Sequence, residues 1–152
     1  MKGADLVSIV SLSKHQILQL IERTEEMKKK PAGPILRGHL LASCFFEPST
    51  RTRLSFEAAM KRLGGDVIGF SESTSTSAQK GESLHDTIKI MGLYSDIIAI
   101  RHPVVGSAQE AAEATEIPVI NAGDGYNEHP TQTLLDLFTM RETQGRLEEL
   151  KI

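Results

Sequence analysis

A chain of 152 residues is long enough to form one domain with a sizeable buried core. Its formal net charge of −3 argues against nucleic acid as the main partner, because proteins that bind duplexes usually present a basic surface. The single cysteine cannot support a disulfide framework, and no apolar stretch approaches the roughly 20 residues of a membrane span. Since the N-terminus also lacks a signal-peptide pattern, we expect a soluble cytoplasmic protein without a membrane partner.

Apolar periodicity and turn signals divide the chain into alternating helices and strands. The first helix is expected to be capped by Ser11 or Ser13 and to end in a run of lysines. The second is expected to end at Gly64-Gly65, and the last to carry Pro130 at its first position. The predicted elements in chain order are helix 11–30, strand 40–46, helix 50–63, strand 66–70, helix 82–91, strand 95–100, helix 106–115, strand 117–121 and a final helix from residue 130.

The predicted strands are near-continuous apolar runs, which is typical of strands buried on both faces of a parallel sheet. The sequence therefore predicts one α/β domain over residues 1–152, a three-layer αβα fold around a parallel sheet of four or slightly more strands. Ligands of such sheets bind at the carboxyl ends of the strands. Three of these ends carry candidate chemistry: Ser49–Arg53 after the first strand, Arg101 after the third and His129 after the fourth.

The run Ser49-Thr50-Arg51-Thr52-Arg53 begins the second predicted helix, which Ser49 or Thr50 is expected to cap, with two arginines and no acid. A helix N-terminus carries partial positive charge, so cations there are unfavourable unless an anion binds between them. Free backbone N–H groups, hydroxyls and guanidiniums together predict a phosphate site. The alternative is a solvated helix start in which Arg53 pairs with Glu57 four residues later. That alternative leaves Arg51 and the hydroxyls unexplained.

The other candidate groups have structural alternatives of comparable weight. The hydroxyl-rich stretch 71–81, which contains Lys80, is either a functional loop or a flexible solvent loop. Arg101 is either a ligand or a salt-bridged residue at a strand end. His129 is either functional or a capping or core histidine beside Pro130.

Several common kinds of site lack their signatures. There is no Gly-x-Gly-x-x-Gly run and no P-loop, so a nucleotide site lacks its glycines. No cluster of His, Cys, Asp and Glu has convincing metal spacing. Gly-x-Ser-x-Gly is absent, and Cys44 lies inside a predicted strand, which makes a triad hydrolase improbable. The remaining arginines, hydroxyls, histidine and lysine suit the orientation and polarisation of a phosphorylated substrate without covalent catalysis.

Four segments closely resemble signature motifs of the aspartate and ornithine carbamoyltransferase family, in the family's order. Features within them favour the aspartate branch over the ornithine branch: the Glu-Pro before the Ser-Thr-Arg-Thr-Arg run, the Lys-Gly-Glu segment and Asn-Ala-Gly-Asp-Gly. The segments are Phe46–Glu57, Lys80–Thr87, Arg101–Pro103 and Asn121–Asp136.

The resemblance implies a catalytic chain of two α/β domains, of which residues 1–152 are the first, the carbamoyl phosphate-binding domain. The second domain, which binds aspartate, is expected to be absent from this chain. No metal or organic cofactor is implied. The family forms trimers whose active sites are shared between neighbouring chains, and some members bind separate regulatory chains.

The resemblance also implies roles for individual residues. Ser49, Thr50, Arg51 and Thr52 are expected to hold the phosphate of carbamoyl phosphate, and Ser77 and Lys80 to reach the site from the adjacent chain.

Around the carbamoyl group, Arg101 is expected to bind both the phosphate and the carbonyl oxygen. His129 is expected to donate to that oxygen as a neutral or charged group, and Gln132 to hold the amino group. The implied reaction is attack of the aspartate amine on the carbamoyl carbon, with Thr52, Arg101 and His129 as the oxyanion hole. The alternatives are an ornithine carbamoyltransferase domain and a non-catalytic phosphate-binding or oligomerisation module.

Overall fold

The protein is described by a computed structural model that covers residues 3–72 and 77–148, without the side chains of residues 77 and 78. The strands are Leu40–Phe45 (β1), Asp66–Phe70 (β2), Ile97–His102 (β3) and Val119–Asp124 (β4). The helices are Lys14–Lys29 (α1), Arg51–Arg62 (α2), Leu84–Tyr94 (α3), Ser107–Glu113 (α4) and Pro130–Gln144 (α5), with a short 3₁₀ helix at Ser77–Lys80.

The strands form one sheet in the order β2-β1-β3-β4, and every neighbouring pair is parallel. Helices α3 and α4 pack on one face through a core of alternate residues from β1 and β3, including Ala42, Cys44, Ile98 and Ile100. Helix α2 packs on the other face against Leu41 and Ala99 through Met60. Helix α5 contacts β4, and α1 packs on α5. The predicted three-layer α/β fold is confirmed.

Local capping signals in the sequence act at several helix ends. The Ser13 side chain accepts from the Gln16 amide, and the Gln16 side chain accepts from the Ser13 amide, so α1 begins with a complete capping box. Gly64 follows α2 with a φ of 87°, a left-handed conformation that glycine adopts without strain. Pro130 occupies the first turn of α5, where a missing N–H costs nothing.

The third and fourth strands extend beyond the predicted ends at residues 100 and 121. Arg101 stays in the sheet because its carbonyl accepts from the Phe46 amide at 2.9 Å, and its Cα pairs with that of Phe45. Asp124 pairs with His102 at the end of β4. The polar side chains at these positions ended the apolar pattern but did not end the backbone hydrogen-bond ladder.

An N-terminal segment, residues 5–9, lies along the outer edge of β4, and the sequence pattern did not predict it. Leu6 forms an isolated parallel bridge with Ile120. Its amide donates to the Val119 carbonyl at 2.8 Å, and its carbonyl accepts from the Asn121 amide at 2.9 Å. The Asp5 carboxylate accepts from the Val119 amide at 2.8 Å.

Across residues 3–72 and 77–148, no helix combines the length and the apolar character needed to cross a membrane.

Candidate functional site

The carboxyl ends of the two central strands lie at the same edge of the sheet. The ladder pairs Phe45, the last residue of β1, with Arg101 near the end of β3. The chain winds outward from this pair in opposite directions, to β2 on one side and to β4 on the other. A reversal of this kind leaves a crevice between the connections, where α/β proteins bind their ligands. The residues after β1, at the end of β3 and after β4 border this crevice.

Helix α2 begins at Arg51 and has no acidic residue in its first turn. Ser49 is half-buried just before the helix, and Thr52 is half-buried within its first turn. The predicted hydroxyl cap is not formed: Thr50 occupies the N-cap position without a side-chain cap bond. Its φ of −81° and ψ of −58° are already helical, whereas a capping side chain usually needs extended dihedrals. This helix start therefore lacks an internal anionic or hydroxyl cap.

The two arginines of this turn have different surroundings. Nη1 of Arg53 lies 3.0 Å from Oε1 of Glu57, the i,i+4 pair expected in the alternative interpretation. Ser43 Oγ donates to the same carboxylate oxygen at 3.0 Å, so Arg53 is part of a bridge between α2 and β1. Arg51 is exposed and makes no side-chain hydrogen bond or ion pair with the residues that the structure describes. Of the two arginines in this turn, Arg51 is therefore the one whose charge is available to a ligand.

Arg101 lies at the end of β3 beside a β-bulge. The ladder pairs Ile100 with Asn121 and His102 with Asp124, so Arg101 alone faces two residues of β4, Ala122 and Gly123. Bulges often occur next to functional sites, where they redirect side chains.

The Arg101 guanidinium is held at two of its nitrogens. Nε donates to Oε1 of Glu47 at 2.6 Å, and Nη1 lies 3.5 Å from the Ala122 carbonyl. The salt bridge of the alternative interpretation is therefore present at this strand end. The sequence alone assigned no role to Glu47, the partner of Arg101. One feature could have indicated such a pairing: Glu47 lies directly before Pro48 in a run that contains no other acid.

Gly123 separates Arg101 from His129. Its φ of 124° is a conformation that side chains rarely allow. A methyl group placed on it would lie 3.2 Å from Nη1 of Arg101 and 3.5 Å from Cδ2 of His129. Both functional side chains thus approach the same point of the backbone from different elements. A side chain at position 123 would crowd both of them, so the glycine allows the two to lie close together.

His129 precedes α5, with dihedrals of φ −137° and ψ 76° and no side-chain cap bond. Its ring is half-buried, and Nδ1 lies 3.3 Å from Oγ1 of Thr131. Burial lowers the pKa of this imidazole, and the positive charge of Arg101 lowers the pKa further. The ring is therefore neutral at neutral pH and can donate from one nitrogen. The Gln132 amide donates to the His129 carbonyl at 2.9 Å, and the Gln132 side chain is exposed.

The remaining predicted site residues follow β2. Lys80 ends the 3₁₀ helix, and its exposed side chain makes no hydrogen bond or ion pair with the described residues. Ser77 begins the same helix, and its side chain lies outside the described part, as do residues 73–76 of the hydroxyl-rich stretch. A single chain thus places the groups after β1, β3 and β4 at one edge of the sheet, and no bond links Lys80 to them among the described residues.

Three comparisons with known proteins identify the family. Residues 4–142 match the family "Aspartate/ornithine carbamoyltransferase, carbamoyl-P binding domain". Over 155 aligned positions the chain is 59% identical to the aspartate carbamoyltransferase catalytic subunit of Thermococcus onnurineus, an alignment that covers 99% of this chain and 50% of the relative. The same subunit of Chromobacterium violaceum is 53% identical over 147 positions, which cover 97% of this chain and 49% of the relative.

Solved structures give the same result. Aspartate transcarbamoylase from Trypanosoma cruzi, in complex with carbamoyl aspartate and phosphate, superposes with a TM-score of 0.88 at 39% identity, covering 95% of this chain and 46% of that one. The catalytic subunit of M. jannaschii aspartate transcarbamoylase gives a TM-score of 0.86 at 49% identity, covering 93% and 48%.

The chain spans about half the length of these relatives. All four are named for aspartate rather than ornithine, which favours the aspartate branch. The chain therefore belongs to the aspartate/ornithine carbamoyltransferase family and matches its carbamoyl phosphate-binding domain.

Proposed function

We propose that this domain binds carbamoyl phosphate and forms half of an aspartate carbamoyltransferase active site. The complete enzyme transfers the carbamoyl group to L-aspartate, giving N-carbamoyl-L-aspartate and phosphate, a step of pyrimidine biosynthesis. Residues 1–152 are the first domain, and the aspartate site belongs to a second. The observation that carries the proposal is the exposed Arg51 at an acid-free helix N-terminus, on the sheet edge that also bears Arg101 and His129.

The α2 N-terminus holds the phosphate. Its free backbone N–H groups can donate to an anion, and the helix dipole places partial positive charge at the same end. A phosphate dianion accepts from these N–H groups and is attracted by that charge. The Ser49, Thr50 and Thr52 hydroxyls add donors around the same point, and Arg51 adds a full charge. Charge-assisted hydrogen bonds of this type are about twice as strong as neutral ones.

Arg101, His129 and Thr52 act on the carbamoyl group. Arg101 bridges the phosphate and the carbonyl oxygen, and neutral His129 donates an N–H to that oxygen. Gln132 accepts from the carbamoyl amino group. The aspartate amine attacks the carbamoyl carbon, and the carbonyl oxygen gains negative charge. The carbon–oxygen bond then breaks, and the leaving phosphate takes the proton that the amine loses. Donors fixed around the developing oxyanion stabilise the tetrahedral intermediate without any cofactor.

The site is completed by a neighbouring chain. Lys80 is exposed and makes no hydrogen bond or ion pair with the described residues of its own chain, which suits a homotrimer in which Lys80 and Ser77 reach the adjacent active site. We propose such a trimer in the cytoplasm.

Calorimetric titration with phosphonoacetamide, a non-hydrolysable analogue of carbamoyl phosphate, tests the phosphate site. We expect saturable binding by the wild type and a loss of at least about tenfold in Arg51→Ala, equal to about 1.4 kcal/mol. Arg53→Ala is the matched control: it removes the same charge from the same turn, but from a side chain already paired with Glu57. Equal losses in both variants would show a nonspecific charge effect and overturn the assignment of Arg51.

Size-exclusion mass with and without the analogue tests the shared site. A trimer whose affinity falls in Lys80→Ala supports the contribution from the neighbour. A monomer that binds equally well with and without Lys80 contradicts it. The trimer could also bind the analogue while a chain that contains both domains forms no carbamoyl-aspartate. That result would identify a non-catalytic phosphate-binding module instead.

A further inference from the structure

Asp124 has a buried carboxylate that accepts hydrogen bonds from four different residues. The side chain is only 3% exposed at the end of β4. Oδ1 accepts from Nδ2 of Asn121 at 3.2 Å and from the Glu128 amide at 3.1 Å. Oδ2 accepts from the Gly106 amide at 3.0 Å and from Nδ2 of Asn127 at 3.2 Å. Burial alone would raise the pKa of this carboxyl group, but these donors together lower it, so the group is ionised at neutral pH.

Three of these four donors come from two loops that flank the candidate site, and the fourth, Asn121, belongs to β4 itself. Gly106 closes the loop that leaves β3, and Asn127 and Glu128 belong to the loop that leaves β4. The loops also touch through their backbones, because the Gly125 amide donates to the His102 carbonyl at 2.8 Å. The two loops are also closely packed at Gly125, because a methyl group on this residue would lie 2.7 Å from the Pro103 carbonyl oxygen.

Each loop is joined directly to one of the functional side chains. Arg101 is the residue before His102, where the first loop begins, and His129 is the residue after Glu128, where the second ends. A change in the separation of the two loops therefore changes the separation of the Arg101 guanidinium and the His129 imidazole, which both lie beside Gly123.

We propose that Asp124 is a positioning residue that fixes the placement of His129 relative to Arg101 by fastening the loop after β3 to the loop after β4 through the two oxygens of its carboxylate. The proposal deepens the proposed function, since it concerns how that site is held in shape. Asp124 itself touches neither side chain through a hydrogen bond in the described residues and acts through the two loops.

Both carboxylate oxygens are needed, which makes asparagine a sharp test. Asparagine keeps one acceptor oxygen and replaces the other by an NH₂ group, which cannot accept from a backbone N–H. Asp124→Asn therefore breaks either the Gly106 arm or the Glu128 arm while preserving side-chain volume. Asp5→Asn is the matched control, because the Asp5 carboxylate also accepts from a backbone amide, that of Val119, at the opposite end of β4.

The first measurement needs no ligand. We expect the His129 ring signals in a two-dimensional carbon–proton spectrum to shift in Asp124→Asn, and the Gly106 or Glu128 amide to exchange faster with solvent. Asp5→Asn should leave the His129 signals in place. If the ring signals move no more in Asp124→Asn than in Asp5→Asn, the proposal is wrong.

The second measurement is phosphonoacetamide affinity in a double-mutant cycle. We expect Asp124→Asn to weaken binding about tenfold in the wild type but less than about twofold in a His129→Ala background, because its effect passes through His129. Equal losses in the two backgrounds would overturn the proposal. A wild type that does not bind the analogue, with His129 signals that still respond to Asp124→Asn, would refute the proposed function and leave the positioning role standing.

If Asp124→Asn fails to fold, Asn127→Ala supplies the same test at an exposed residue that contributes one donor to the carboxylate. Smaller shifts of the same His129 signals and a loss of about threefold in affinity are then expected. Unchanged signals in this folded variant would overturn the proposal.

Discussion

Nε of Arg101 donates to Oε1 of Glu47 across 2.6 Å, so part of the positive charge of the crevice is neutralised before any anion binds. Both side chains are between a quarter and a third exposed, which screens the pair. An incoming phosphate dianion meets the repulsion of Glu47 as well as the attraction of Arg101.

Replacing Glu47 by glutamine should therefore tighten the binding of inorganic phosphate by about two- to fivefold, or up to about 1 kcal/mol for a partly exposed pair. Calorimetry at low ionic strength measures this, with Glu57→Gln as the control because Glu57 pairs with Arg53 instead. Weaker binding by Glu47→Gln would show that the glutamate orients Arg101 more than it competes with the ligand.

Gly123→Ala should reduce both stability and phosphate affinity. An alanine at a φ of 124° is strained by about 1–3 kcal/mol, and its methyl group crowds Arg101 and His129. Gly145→Ala provides the control, since its φ is 71° and no atom lies within 4 Å of the added carbon. Urea unfolding should show a loss of stability in both variants, whereas calorimetry should show a loss of affinity in Gly123→Ala alone. Equal affinity in the two variants would contradict the close approach of Arg101 and His129.

Acidification should destabilise the fold through two histidines. Burial is the main cause that lowers the folded-state pKa of His129 and of His102. Below an ordinary histidine pKa of about 6.5 the unfolded chain thus binds more protons than the folded chain, and stability falls as pH falls.

Urea midpoints at about pH 7.5 and about pH 5.5 should therefore differ less in His129→Gln than in the wild type. An equal difference in the two proteins would show that His129 titrates alike in the folded and unfolded chains.

Cys44 should report unfolding directly. It is fully buried in β1, and burial raises the pKa of its thiol to about 12. Because the thiolate is the reactive form, a thiol reagent at about pH 8 should modify the folded protein only when the chain opens. The modification rate should rise with urea along the same curve as the loss of helical circular dichroism. Rapid modification without urea would contradict the buried placement of β1.

The fold was largely predictable because its signals are local. The apolar strands, the capping box at Ser13, the proline that begins α5 and the glycine after α2 each act within a few residues of their own position. The edge segment at residues 5–9 was not predictable, because its pairing with β4 joins residues more than a hundred positions apart.

The placement of Arg101 and His129 near strand ends was predictable, and their contacts were less so. The carboxyl ends of the predicted strands and the family resemblance both pointed to these two residues. The Glu47 pairing, the bulge opposite Arg101 and the carboxylate of Asp124 depend on register between distant strands, which a single sequence does not reveal. The pairing of Arg53 with Glu57 is the exception, because its spacing of four residues within one helix is visible in the sequence.

The segment at residues 5–9 does more than extend the sheet, because it occupies hydrogen-bonding groups that β4 would otherwise present to other molecules. An uncovered edge strand is a template for intermolecular pairing and aggregation. The same segment contacts the residue before His129, since Ser8 Oγ and the Ile9 amide donate to the Glu128 carboxylate at 2.7 Å and 2.8 Å. A protein shortened to begin after Ile9 would therefore lose solubility, and the loop that leads to His129 would be less firmly held. For the same reason, an expression tag is better separated from Asp5 by a flexible spacer.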